Sequence, residues 1–72
     1  MSVVTAQGFL NLLGTQPEVR DQLYTAAPAD AHDLLGFAMQ KGYIMSEQDL
    51  RAALHEYDDN SLADQLLEIL DA

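Results

Sequence analysis

No part of this chain keeps a helical apolar period for long before a glycine, a proline or a capping signal interrupts it. The stretch FAMQKGYIMSEQDLRAAL, residues 37–54, shows the pattern at its clearest. An apolar-periodic run halts at Lys41 and Gly42, Tyr43 follows, and Ser46 stands three places ahead of Asp49. A lysine in a last turn with glycine just beyond is the order of a helix C-terminus, and a serine with an acid three residues on is the order of a helix N-terminus. β-Branched residues are few and alternation never lasts, so strands have little to form from. Such a chain is expected to fold as short helices joined by short turns.

Five helices can be placed on these signals. Ser2 caps a first helix running to about Leu13, with Val3, Phe9, Leu10 and Leu13 broadly on one side, and Gly14 is placed as its left-handed cap. Thr15 and Glu18 have capping-box spacing around Pro17, which lies in a first turn where its missing N–H is harmless. Val19 and Leu23 face inward on that second helix, which ends near Ala26. Pro28 opens a third, with Asp30 and Asp33 at its positive end and a stripe of Ala31, Leu34, Leu35 and Ala38 edged by Phe37. After Gly42, Tyr43 and Ile44 are expected to drop into the core as an anchor. Ser46 starts the fourth helix, where Leu50, Ala53, Leu54 and Tyr57 recur at helical spacing. Beyond the break at YDDN, Ser61 and Asp64 are expected to cap a fifth, with a stripe of Leu62, Leu66, Ile69 and Leu70. The expected fold class is all-α, a single small domain over 1–72; short connections pack consecutive helices close to one another.

A chain of 72 residues, 49% of them apolar, has enough for one core of modest stability. It has no cysteine, so neither disulfides nor thiolate metal sites enter, which fits a reducing compartment. Twelve acids against three bases give a net charge of −9. Residues 1–46 hold four acids and two bases; residues 47–72 hold eight acids and one base. So negative a surface repels phosphate, which disfavours direct DNA or RNA binding and suits a basic partner. The opening MSVVTAQGF has neither the basic start nor the apolar run of a signal peptide, and nothing later spans a bilayer, so a soluble cytoplasmic protein without membrane contact is expected.

Chemistry is hard to find. His32 and His55 read as surface residues, since zinc needs three or four converging ligands, and HEYDD at 55–59 lacks the second histidine of a metalloprotease helix. DDNS lacks the alternating ligands and the twelfth-position glutamate of a calcium loop. The glycines at 8, 14, 36 and 42 are scattered, so no phosphate loop forms, and Ser2, Ser46 and Ser61 sit at cap positions. No catalytic residue, cofactor site or metal site is expected, and the chain is read as a non-enzyme.

Binding is the better subject. Gly8 and Gly36 lie inside helices at about 0.5–1 kcal/mol each relative to alanine. Either a partner or a second copy approaches closely there, or helices of this chain cross closely, or the glycines are tolerated neutral drift. Met39 and Met45 read as gap-fillers in the core. The fifth helix carries Leu67 well to one side of its stripe, so its apolar arc is wide. If that arc does not all dock, Leu62, Leu66, Leu67, Ile69 and Leu70 form a surface for a protein partner or a homodimer.

Three motifs now stand in order: FLNLL at 9–13, QPEVRDQL at 16–23 and LLGFAMQKGYIMSEQDLRAAL at 34–54. Together they resemble the Nif-eleven domain family, associated with nitrogen-fixation genes and with leader regions of ribosomally made, post-translationally modified peptides, over roughly residues 2–57. The matching positions are Phe9, Leu10, Pro17, Leu23, Phe37, Ala38, Gly42, Tyr43 and Leu50, which the residue-level reading assigns to packing and capping. The resemblance implies a helical domain which, as a leader, is bound by a peptide-modifying enzyme acting on a core peptide downstream. Leaders of this type end in a leucine-bearing helix and a double glycine. Here SLADQLLEIL at 61–70 is followed by Asp71 and Ala72, so a stand-alone member lacking a core peptide is expected.

The leading expectation is a non-enzymatic interaction domain that docks through its C-terminal helices, so that Leu66→Asp or Leu70→Asp would spare the fold and abolish capture. The second is a lanthipeptide-like precursor leader. The third is an acidic nucleic-acid mimic carried by Glu47, Asp49, Glu56, Asp58 and Asp59.

Overall fold

The computed structural model describes residues 3–72, and the predicted cap Ser2 lies outside them. Five helices follow in order: α1 (Val3–Thr15), α2 (Pro17–Ala26), α3 (Ala31–Gln40), α4 (Glu47–His55) and α5 (Asn60–Leu70), with no strand among the described residues. The expected all-α bundle is the observed one. Ala6, Phe9, Leu10 and Leu13 give α1 a fully buried stripe at i, i+3, i+4 and i+7. That stripe packs chiefly on α4 and flanks α2, while α5 closes the bundle against α4 and α3.

The core is wholly apolar among the described residues. Phe9, Leu10, Leu13, Leu23, Leu34, Leu50 and Leu66 are its largest fully buried side chains, each worth about 1.5–3 kcal/mol relative to exposure. Phe9 lies at the aromatic centre, its ring 6.3 Å from that of Phe37 in a T-shaped pair and 5.9 Å from that of Tyr43.

The joint between α3 and α4 forms as its residues predict. Tyr43 N–H donates to the Ala38 carbonyl at 2.9 Å and Gly42 N–H to that of Met39 at 3.0 Å, the paired bonds of a Schellman end. Gly42 has φ +94°, which side-chain-bearing residues rarely adopt. Ser46 and Asp49 form a reciprocal capping box at the start of α4.

Elsewhere the caps differ from expectation. Helix α1 continues through Gly14 to Thr15, whose hydroxyl donates back to the Asn11 carbonyl at 2.8 Å and so caps nothing in α2. Gln16 precedes α2 without a side-chain cap, and Pro17 is its first residue. Helix α3 is capped by Asp30, which accepts from Asp33 N–H at 3.0 Å, and Pro28 stays outside it. Helix α5 is capped by Asp59, which accepts from Leu62 N–H at 3.1 Å, two residues before the expected Ser61. At α3 and α5 a carboxylate one residue from the helix takes the cap in place of the expected proline or hydroxyl.

Gly14 has another role. A Cβ there would stand 2.5 Å from the Tyr57 hydroxyl, which donates to the Leu10 carbonyl at 3.1 Å. Burial, and secondarily the charge of Asp59, raise the Tyr57 pKa above its ordinary 10.0. The folded state therefore holds this proton longer than the unfolded one, so the associated stability is complete below pH 10 and is lost as pH rises beyond it. Tyr57→Phe is expected to lose about 1 kcal/mol at neutral pH through the missing hydrogen bond and to flatten the decline in stability above pH 10. Urea titrations across that range test it; an unchanged alkaline slope would remove Tyr57 as its source.

Candidate functional site

The α5 surface is not where the apolar stripe suggested. Leu62, Leu66 and Leu70 are 3%, 1% and 5% exposed and belong to the core. Leu67 and Ile69 are half-buried and pack against it. The wide arc is consumed inside the chain because α5 wedges between α3 and α4, so three of the five expected partner residues are unavailable to a partner in the folded chain. Its C-terminal end is held by Arg51, which donates to Glu47 at 2.9 Å, to Asp71 at 2.8 Å and to the Leu70 carbonyl at 3.2 Å. The Glu47 bond first, and then Asp71, raise the Arg51 pKa, and a guanidinium at those last carbonyls also suits the negative end of the helix.

The nine matching positions within the three sequence motifs lie in the core, against it or at helix ends. Phe9, Leu10, Leu23, Ala38 and Leu50 are buried, Phe37 and Tyr43 pack on them, and Pro17 and Gly42 start and stop helices.

Exposed apolar side chains lie elsewhere. Ile44 is 62% exposed, with Met45 occupying the core in its place, and Met39 is 58% exposed instead of filling a gap. The Schellman turn reverses the chain so that Tyr43 and Met45 point inward, and Ile44 between them points out. Two hollows adjoin these residues. One, of about 240 Å³, is lined by His32, Leu35, Gly36, Met39, Ile44 and Met45. The other, of about 410 Å³, is lined by Ala26, Pro28, His32, Asp33, Gly36, Phe37 and Gln40. They share His32 and Gly36, so a trough crosses the outer face of α3 over a glycine.

The two mid-helix glycines part company here. A Cβ on Gly8 would meet the Tyr43 ring at 3.1 Å, a close approach by a turn side chain and not a crossing helix, whereas a Cβ on Gly36 would meet nothing within 4 Å. Gly36→Ala is thus expected to stabilise the domain by about 0.5–1 kcal/mol, the helix-propensity difference free of any clash. Thermal unfolding measures it; a loss of stability would show that α3 needs its glycine for folding.

The acids proposed for mimicry are mostly employed. Asp49 and Asp59 cap helices and Glu47 holds Arg51; Glu56 accepts from the Gln7 amide at 3.4 Å. His32 and His55 are exposed, and no group of three or more metal-binding side chains gathers among the described residues. No helix among them is long and apolar enough to cross a membrane.

The family model described as the Nif11 domain matches residues 1–50, that is α1 to α3 and the opening of α4. The chain belongs to the Nif11 family. The match takes in all the residues of the Phe9 aromatic centre and the Schellman joint. Helix α5, which seals that core, lies beyond the matched residues. Nif11 domains are known in leader-peptide-like precursors and are not a catalytic family. Comparison with curated proteins and with solved structures finds no match.

Proposed function

We propose that this Nif11 chain is a non-enzymatic protein-interaction domain that meets its partner across the outer face of α3 and the adjoining Ile44. The observation that supports it is the trough itself: Met39 and Ile44, both more than half exposed, border an apolar hollow, while the other large aliphatic side chains of the described residues, Val4 on α1 excepted, are buried or half-buried. Large apolar groups gathered at a hollow mark contact surfaces more often than isolated ones do. A photo-cross-linking residue at position 39 in the native host is expected to give a discrete adduct, and one at exposed Asn11 on α1 none. No adduct at position 39, or equal adducts at both, would end this reading.

A second reading is favoured by the family: the domain serves as a leader recognised by a peptide-maturation enzyme. The intact mass of the product isolated from its host separates the two. A longer or chemically altered chain supports the leader, and an unaltered 72-residue chain supports the interaction domain.

A further inference from the structure

Resting on the α3 interaction reading, we infer that the occupant of the trough is a cationic amphipathic helix that crosses α3 over Gly36. Its shape argues for a helix. Helices pack ridges into grooves at a distance set by the side chains at the contact, so a small residue there lets them cross more closely. Gly36 is that residue, and no atom of the described residues beyond its own turn of helix stands within 4 Å of where its Cβ would be. Met39 and Ile44 rise on one side, and the hollow of mixed lining that holds Asp33 lies on the other. A partner that approaches the backbone there would give this glycine the contact that the described residues do not.

Charge argues for the sign. The chain carries −9, and two of its three bases are engaged internally: Arg51 by Glu47 and Asp71, and Lys41 by Gln22 and the Phe37 ring. Asp33 lines the more polar of the two ends of the trough, beside the cap Asp30. An apolar strip over Met39 and Ile44 with a base toward Asp33 matches both ends, whereas an acidic helix would meet repulsion from the whole molecule.

The test uses the full chain, isotope-labelled, and two synthetic peptides. One is an amphipathic helix of Lys, Leu and Ala with alanine central on its apolar face; its twin has every Lys replaced by Glu. At about 0.15 M salt, where surface charges are screened beyond about 8 Å, the cationic peptide is expected to shift amide resonances centred on His32, Gly36, Met39 and Ile44. The twin is expected to leave the spectrum unchanged. Gly36→Ala is expected to weaken binding about tenfold, the scale of one methyl forced into a tight contact, while raising the Tm. Shifts centred on the acids of α4 and α5 with no effect of Gly36→Ala would overturn the inference, as would equal binding of the twin or no binding at millimolar peptide. Concentration-dependent shifts at the same residues without peptide would overturn it in favour of a second copy of this chain. A cross-link at position 39 combined with a negative peptide result removes only the cationic helix; absence of the cross-link removes the interaction surface itself.

Discussion

Leu66→Asp is expected to unfold the domain. Leu66 is 1% exposed on the inner face of α5, between Leu62 and Leu70, in a core with no buried polar group among the described residues. An aspartate there has no donor to satisfy it. Losing the leucine side chain alone costs about 2–5 kcal/mol, and desolvating a carboxyl without a partner adds a further few kcal/mol. Total stability for a domain of this length is on the order of 4–11 kcal/mol, so the sum consumes most or all of it. Circular dichroism should show the helical signal collapse at neutral pH. Acid should restore part of it: the buried carboxyl has a raised pKa, so the penalty falls as the group becomes neutral. Leu67→Asp, at a half-buried position on the same helix, should remain folded. A Leu66→Asp protein with an unchanged unfolding midpoint would mean that α5 does not dock as described. The expectation from the apolar stripe, that this substitution spares the fold, is reversed by the burial of its side chain.

Phe9→Ala comes next in size, with an expected loss of about 3–5 kcal/mol. Phe9 is fully buried and is the side chain that ties α1 to both Phe37 of α3 and Tyr43 of the following turn. Its removal opens a cavity at the meeting point of three elements, and Tyr43, already 3.1 Å from where a Gly8 Cβ would stand, has little room to slide in. Urea denaturation should show a lower midpoint with an unchanged slope, and Phe9→Leu should recover a large part of the loss. A midpoint shift equivalent to less than about 1 kcal/mol would show that the site collapses around the gap and that the aromatic centre is not a keystone.

What could be read from residues depended on how local the cause was. The Gly42 stop and the Ser46–Asp49 start were legible because each involves hydrogen bonds within a few residues of chain. The α5 cap was misplaced because Asp59 and Ser61 both suit an N-cap, and a choice between neighbours two apart turns on where the helix axis is held. Ala27, which ends α2 in the left-handed region at φ 49°, carries no signal at all; alanine is not the residue that conformation favours. Gly14 looked like a cap and serves instead as space for the Tyr57 ring, whose anchoring carbonyl is 47 residues away in sequence. Of the candidate site, Gly36 was recognisable as a costly residue inside a helix, but Met39 and Ile44 were assigned to the interior.

The amino-acid sequence by itself determined that the chain is helical, that five short helices form among the described residues, where α3 gives way to α4, and that the chain is of the Nif11 family. Those follow from backbone preferences and hydrogen bonds that close over one turn of chain. The tertiary structure alone decided which apolar faces are covered. Periodicity marks a side of a helix as apolar, but it is the placing of α3 and α4 around α5 that buries Leu66, and the turn after Gly42 that buries Met45 and leaves Ile44 outside. Burial is a property of what stands opposite a side chain, and in this protein what stands opposite comes from distant parts of the chain.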